Sequence, residues 1–332
     1  MTSYAALAVG SAGAQLRSES YGRDGRLEAP MRSPIASITK PMTAVVVMQL
    51  VESGELVLHE PLSTYLPEFH PGPTEGSSVD APAEPITAWH LLTHTSGLPD
   101  LDLAWYAAAP RTPADVIAAI CRARPEFAPG SAFRYATDTF HLLAAVVERL
   151  SGRPYPTVMH DRLFRPLGMD LTSFDPDEPG ESVAIDGTFG LPGMSQAEIR
   201  EVFRTLAIPG GGLWSTPDDV LRFGRAMLSR GNLDGARIIG EPFLDLMLRH
   251  QTDGLREVGT GRPPNYGLGW GFPGLGRGTP ASPSAFAHTG ATGSILLVDP
   301  EWDLVVVHLR NDWGASMQAT DEVLQAVYGA LS

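Results

Sequence analysis

The segment AFAHTGATGSILLVDPEWDLVVVHLR (285–310) decides how this chain is built. Two apolar runs, SILLVDP and LVVVHLR, flank a turn at Asp299–Asp303. Such runs, bounded by turn residues, read as adjacent strands. AFAHTG reads as a strand before them, and residues 316–331 as a closing helix. At the opposite end, residues 4–9 and 14–18 form a short strand pair around Gly10 and Gly13. Helical patterns fill the middle, near 87–94, 113–122, 138–150, 195–206, 216–229 and 241–249. Pro/Gly-rich loops at 70–85 and 271–285 and an irregular acidic segment at 175–193 interrupt them. Strands at both ends with helices between imply an α/β (α+β) fold, one antiparallel sheet built from both termini with a helical domain inserted. The expected division is 1–60 with 235–332 for the sheet, and 61–234 for the helical insert. A catalytic cleft belongs between them.

The net charge of −14 over 332 residues disfavours a nucleic-acid partner, which needs a basic face. It also disfavours docking on anionic lipid. Cys121, the sole cysteine, sits in an apolar helical pattern with Val116, Ile117 and Ile120, which suits a buried, inert thiol. No apolar run is long enough to span a bilayer, and MTSYAALAVGSAG lacks the features of a signal peptide. The expectation is a cytoplasmic protein.

Twenty-three of the 24 basic residues are Arg, and Lys40 is the only lysine. A position that stays Lys in such a chain needs what Arg cannot do. Arg keeps its proton in proteins, whereas a buried Lys loses it readily and can act as a base. Ser37 lies three residues earlier, in SITKPMTAVVVMQLVESGEL (37–56), which reads as a helix stopped by Gly54. Pro41 is tolerated only near a helix start, so Ser37 belongs at or just before the N-terminus. Residues i and i+3 share a face, so hydroxyl and amine can meet there. A capping Ser beside a solvated Lys fits the same four residues, so SxxK alone is a weak signal.

Two further groups carry chemistry. Tyr135 precedes the helix in FRYATDTFHLLAAVVERLSG (133–152). His288 precedes Thr289, Gly290, Ala291, Thr292 and Gly293. Glycines in a strand often mark close approach by backbone or ligand.

Together SITK (37–40), YAT (135–137) and HTG (288–290) resemble the signature set of the serine β-lactamase and penicillin-binding protein superfamily. The nearest branch resembles class C β-lactamases and family VIII carboxylesterases. LLTHTSGLP (91–99), GGLWSTPDDVLRF (211–223) and YGLGWGF (266–272) extend the likeness over nearly the whole chain. The resemblance implies a five-stranded antiparallel sheet flanked by terminal helices, with an all-helical insert. It implies Ser37 as nucleophile, Lys40 holding Tyr135 in an easily deprotonated state, and Tyr135 as the group that takes the serine proton. Backbone N–H groups of Ser37 and Ala291 would form the oxyanion hole. His288, Thr137, Thr289 and Gly290 would line the substrate. His288 stands where the family's KTG motif has Lys, and Thr137 where most relatives have Asn. Both departures weaken the case for efficient β-lactam hydrolysis and favour the esterase branch.

The expected activity is a serine hydrolase forming an acyl-enzyme on a small ester or amide, without metal or cofactor. A carboxylesterase leads. A biosynthetic acyltransferase, a β-lactamase or D-aminopeptidase-type amide hydrolase, and an acylation-only sensor or pseudoenzyme stay open. GWGFPG (269–274) fits GxGxxG, but it contains Pro273 and opens no helix, so it does not read as a dinucleotide loop. His90 and His94 have zincin spacing without the intervening Glu and read as structural. No GxSxG elbow occurs.

Overall fold

The computed structural model describes residues 4–73, 76, 85–107, 109, 111–187, 193–273 and 280–331. Parts of the loops expected at 70–85, 175–193 and 271–285 lie outside the described residues. The sheet is made by β1 (Tyr4–Gly10), β2 (Gln15–Gly22), β3 (Gly25–Arg26), β4 (Phe286–Gly290), β5 (Ser294–Asp299) and β6 (Leu304–Arg310). Their order across the sheet is β3-β2-β1-β6-β5-β4, antiparallel throughout. The first strand lies beside the last, with Ala5 opposite Arg310 and Gly10 opposite Val305. Five strands of ordinary length match the expectation, and the two-residue β3 extends one edge.

Both faces of the sheet are covered, so β5 and β6 are apolar without alternation. The period of two still sorts their side chains. Leu296, Val298, Val305 and Val307 join the main core, while Ile295, Leu297, Leu304 and Val306 face the terminal helix α4 (Gln318–Gly329) through Leu324 and Tyr328. The main-core face packs on helix α3 (Pro217–Leu228) at van der Waals contact. A Cβ on Gly224 would come within 2.5 Å of Val305 and 2.9 Å of Leu296. Strand β2 runs four residues past the expected end because its outer half, SESYG, is polar. That is normal for strands near a sheet edge, and it hides the strand from a hydrophobic pattern.

Helix α1 (Thr39–Glu52) is buried on every side through Met48. A helix apolar all round belongs in the interior. It lies against α2 (Phe140–Ser151), whose apolar face was legible. Two helical stretches went unread, Leu103–Ala107 and residues 155–167. The first is a single turn, and the second is broken in pattern by Pro156 and Pro166. The acidic segment contributes a two-residue strand, Asp186–Gly187, parallel to Asp312–Trp313.

Candidate active site

Ser37 sits in a one-turn 3₁₀ helix, Ala36–Ile38, that runs straight into α1. Neither turn nor helix has a side-chain cap. The Ile38 amide donates to the Ile35 carbonyl and that of Thr39 to Ala36 and Ser37, which leaves the Ser37 amide available to an anion at this turn. Ala36 is held at φ +47°, a costly conformation for a residue with a Cβ, and it is fully enclosed. Strand β4 approaches this turn so closely that a Cβ on Gly290 would lie 2.6 Å from the Ile35 carbonyl. Glycine at 290 is thus a condition for bringing the HTG strand against the serine turn. The amides of Ser37 and Ala291 donate to no carbonyl among the described residues.

Lys40 has no solvent exposure. Its Nζ donates to Ser37 Oγ at 3.2 Å, to Thr137 Oγ1 at 3.2 Å and to the Gly210 carbonyl at 2.6 Å. It also lies 4.6 Å from the centroid of the Tyr135 ring and 5.4 Å from that of Phe140. Burial disfavours its charge and brings its pKa down to about 7, against the opposing pull of Asp100 and Asp138. Gly210 is required by the same packing. A Cβ there would meet the Thr137 carbonyl at 2.7 Å and Lys40 Nζ at 3.3 Å.

Tyr135 is 37% exposed at the cleft, but its hydroxyl hydrogen-bonds with Ser37. Burial raises the phenol pKa, and that hydrogen bond only partly offsets the rise. The amine therefore gives up its proton before the phenol does. This differs from the expectation of an easily deprotonated tyrosine. The reason is that burial raises the phenol, with Asp100 adding to the rise, while Lys40 lies over the ring and donates to Ser37, Thr137 and Gly210.

On the far side of Tyr135 lies a second chain of polar groups. The Ala136 amide donates to His94 Nδ1 at 3.2 Å. His94 Nε2 meets Tyr266 Oη at 3.3 Å, and Tyr266 Oη meets His288 Nε2 at 2.8 Å. His288 Nδ1 meets the Thr289 carbonyl at 2.8 Å. His94 packs on Tyr135 with centroids 4.3 Å apart, and His288 lies 6.2 Å from the same ring. Burial is the main cause that lowers both imidazoles, His288 to about 3 and His94 well below its usual range. His90 turns away, its Nδ1 contacting Thr87 at a helix start.

The sequence-derived residues Ser37, Lys40, Tyr135, Thr137, His288, Thr289, Gly290 and Ala291 thus converge. Thr137 accepts from Lys40 Nζ through its hydroxyl oxygen. Its amide and that of Asp138 both donate to Asp100 Oδ1, at 2.7 and 2.8 Å. Cys121 lies apart, buried, with its thiol pushed up to about 11. It borders a surface depression of about 730 Å³ between Leu66 and Pro154 that includes none of these catalytic candidates.

A profile of the β-lactamase family matches residues 4–329. The chain belongs to the β-lactamase family. It is an enzyme of this fold family of serine hydrolases. Esterase EstB of Burkholderia gladioli is 31% identical to it, over 90% of this chain and 83% of that one. Protein Rv1367c of Mycobacterium tuberculosis is 28% identical, over 83% and 76%. Among solved structures, EstCE1, described as a hydrolase with promiscuous acyltransferase activity, superposes with a TM-score of 0.78 at 21% identity, over 98% and 93%. No helix among the described residues is long and apolar enough to cross a membrane.

Four residues that contact this β-lactamase-family cleft were given no part in it by the sequence: His94, Asp100, Gly210 and Tyr266. All four lie in or beside the family-like segments 91–99, 211–223 and 266–272. Those segments were a signal without an assigned role. Asp100 had no signal beyond its place just after LLTHTSGLP.

Proposed function

We propose that the protein is a carboxylesterase acting on small, uncharged acyl esters through an acyl-enzyme on Ser37. The observation that carries this reading is the buried Lys40 amine. Its contacts with Gly210 and Thr137 hold two N–H bonds, so in the neutral amine the lone pair faces Ser37 Oγ. The serine proton passes to Nζ as Oγ attacks the ester carbonyl. The amides of Ser37 and Ala291 receive the oxyanion. One such donor is typically worth ~3–4 kcal/mol of barrier. Lys40, with the Tyr135 hydroxyl beside Ser37, returns a proton to the leaving alkoxide. Water then attacks the acyl-enzyme and gives a proton to Lys40, which passes it to Ser37 Oγ as the acyl–Oγ bond breaks and the acid leaves.

In this reading the sheet domain, 1–60 with 235–332, supplies Ser37, Lys40 and the His288 strand. The insert, 61–234, supplies Tyr135, Thr137 and Gly210. The likeness to EstB supports an ester substrate. The neutral His288 and the engaged Thr137 hydroxyl both argue against a β-lactam, whose carboxylate and acylamino group would go unmatched.

The test is p-nitrophenyl butyrate hydrolysis by the wild type and by Ser37→Ala. Turnover in the wild type and its loss in the variant are expected. Equal rates in both proteins, or none in either, would overturn the reading. Added short alcohols that speed release and appear in new esters would shift it to acyl transfer.

A further inference from the structure

Each imidazole in the cleft has both nitrogens engaged, and the polarity of the chain can be read from its ends. A backbone N–H can only donate, so His94 Nδ1 is an acceptor and its proton is on Nε2. A carbonyl can only accept, so His288 Nδ1 carries its proton and Nε2 is bare. Tyr266 joins the two, accepting from His94 and donating to His288. Every donor meets an acceptor, and no site is left for an additional proton. Adding one to His288 Nε2 would set N–H against O–H across 2.8 Å. All three residues are buried.

From these contacts we infer that His94 and Tyr266 are positioning residues that hold His288 as an uncharged wall of the cleft, so that the enzyme discriminates against esters carrying a carboxylate near that wall. The inference rests on the acyl-enzyme reading only for its substrate half. The titratable groups facing His288 are Lys40 from α1, Tyr135 from the loop before α2, His94, and Tyr266. None is an anion that would favour an imidazolium, and Lys40 opposes it. The serine turn and the Ala291 amide are brought beside this wall by Gly290, so an acyl group at Ser37 must pass it.

Two measurements test this. The first is the side-chain ¹⁵N spectrum of His288 at neutral pH, which does not depend on catalysis. A neutral ring with the proton on Nδ1 is expected. An imidazolium, or a proton on Nε2, would overturn the inference even if Ser37 proves to be the nucleophile. The second is the ratio of kcat/KM for p-nitrophenyl butyrate to that for mono-p-nitrophenyl succinate. Taking the ratio cancels any pH dependence the two substrates share through Ser37 and Lys40. The wild type should favour butyrate by about tenfold or more, the scale of one unmatched charge. His288→Lys should bring the ratio towards parity. Tyr266→Phe removes the donor to His288 Nε2 while burial keeps the ring neutral, so the ¹⁵N spectrum of that variant should show the Nε2-protonated tautomer appearing beside the Nδ1-protonated one, with the ester preference still flat in pH. His288→Gln, which keeps an acceptor for Tyr266, should keep the wild-type preference. A wild type that accepts both esters equally, or a ratio unmoved in His288→Lys, would overturn the inference.

Discussion

Lys40 and the His94–Tyr266–His288 chain flank the same tyrosine ring, and burial acts on both by disfavouring charge. They nevertheless end in different states. The amine is brought down to about 7, with three contacts that suit either protonation state. The imidazoles are driven lower and sit in a chain whose every hydrogen is already placed. Desolvation alone makes a group neutral. What makes it switchable is a neighbour that can reverse its own role, and the Ser37 hydroxyl is such a neighbour. A backbone amide and a carbonyl, which terminate the imidazole chain, are not.

The largest expected effect on this contrast is Lys40→Arg. Arg cannot deprotonate, so loss of the base should cost about 10²–10⁴-fold in kcat. Wild-type-like esterase rates in that variant would show that the amine is not the base. Gly210→Ala comes next. Its methyl group would enter the space between Thr137 and Lys40, and a misplacement near 1 Å costs on the order of 10²-fold. Circular dichroism and melting separate this from unfolding. Tyr135→Phe should cost less than Lys40→Arg, because the raised phenol is not the first group to lose a proton. A larger loss in Tyr135→Phe would restore the tyrosine as the base.

The pH dependence sharpens the same point. The proposed mechanism requires the neutral amine, so kcat/KM should rise with pH through about 7 and show no separate step from His288 between pH 5 and 8. Asp100 raises the Lys40 pKa, so Asp100→Asn should move the rising limb to lower pH. The smallest effect is on stability. The folded pKa of Lys40 lies below its unfolded value of 10.5, so the unfolded chain binds more protons between pH 7 and 10.5. Wild-type stability should therefore gain over Lys40→Met as pH rises through that window. Thermal melts at pH 7 and 9.5 would measure it.

The sequence by itself determined the strands at both ends, the helix that follows Ser37, and the pairing of Ser37 with Lys40. These are local matters of apolar period, of Pro41 near a helix start, and of one Lys among 24 basic residues. Tyr135 and His288 became legible only through the resemblance that SITK, YAT and HTG carry together. The short helices at 103–107 and 155–167 and the polar half of β2 escaped because their patterns were too brief or too polar. Only the tertiary structure decided which group loses its proton first. The protonation order depends on distances between atoms 97 and 170 residues apart, from Lys40 to Thr137 and to Gly210. The state of His288 depends on Tyr266, and that of Tyr266 on His94, 172 residues away. A pKa reports solvation and hydrogen-bond direction, and both exist only once the chain has folded around the group.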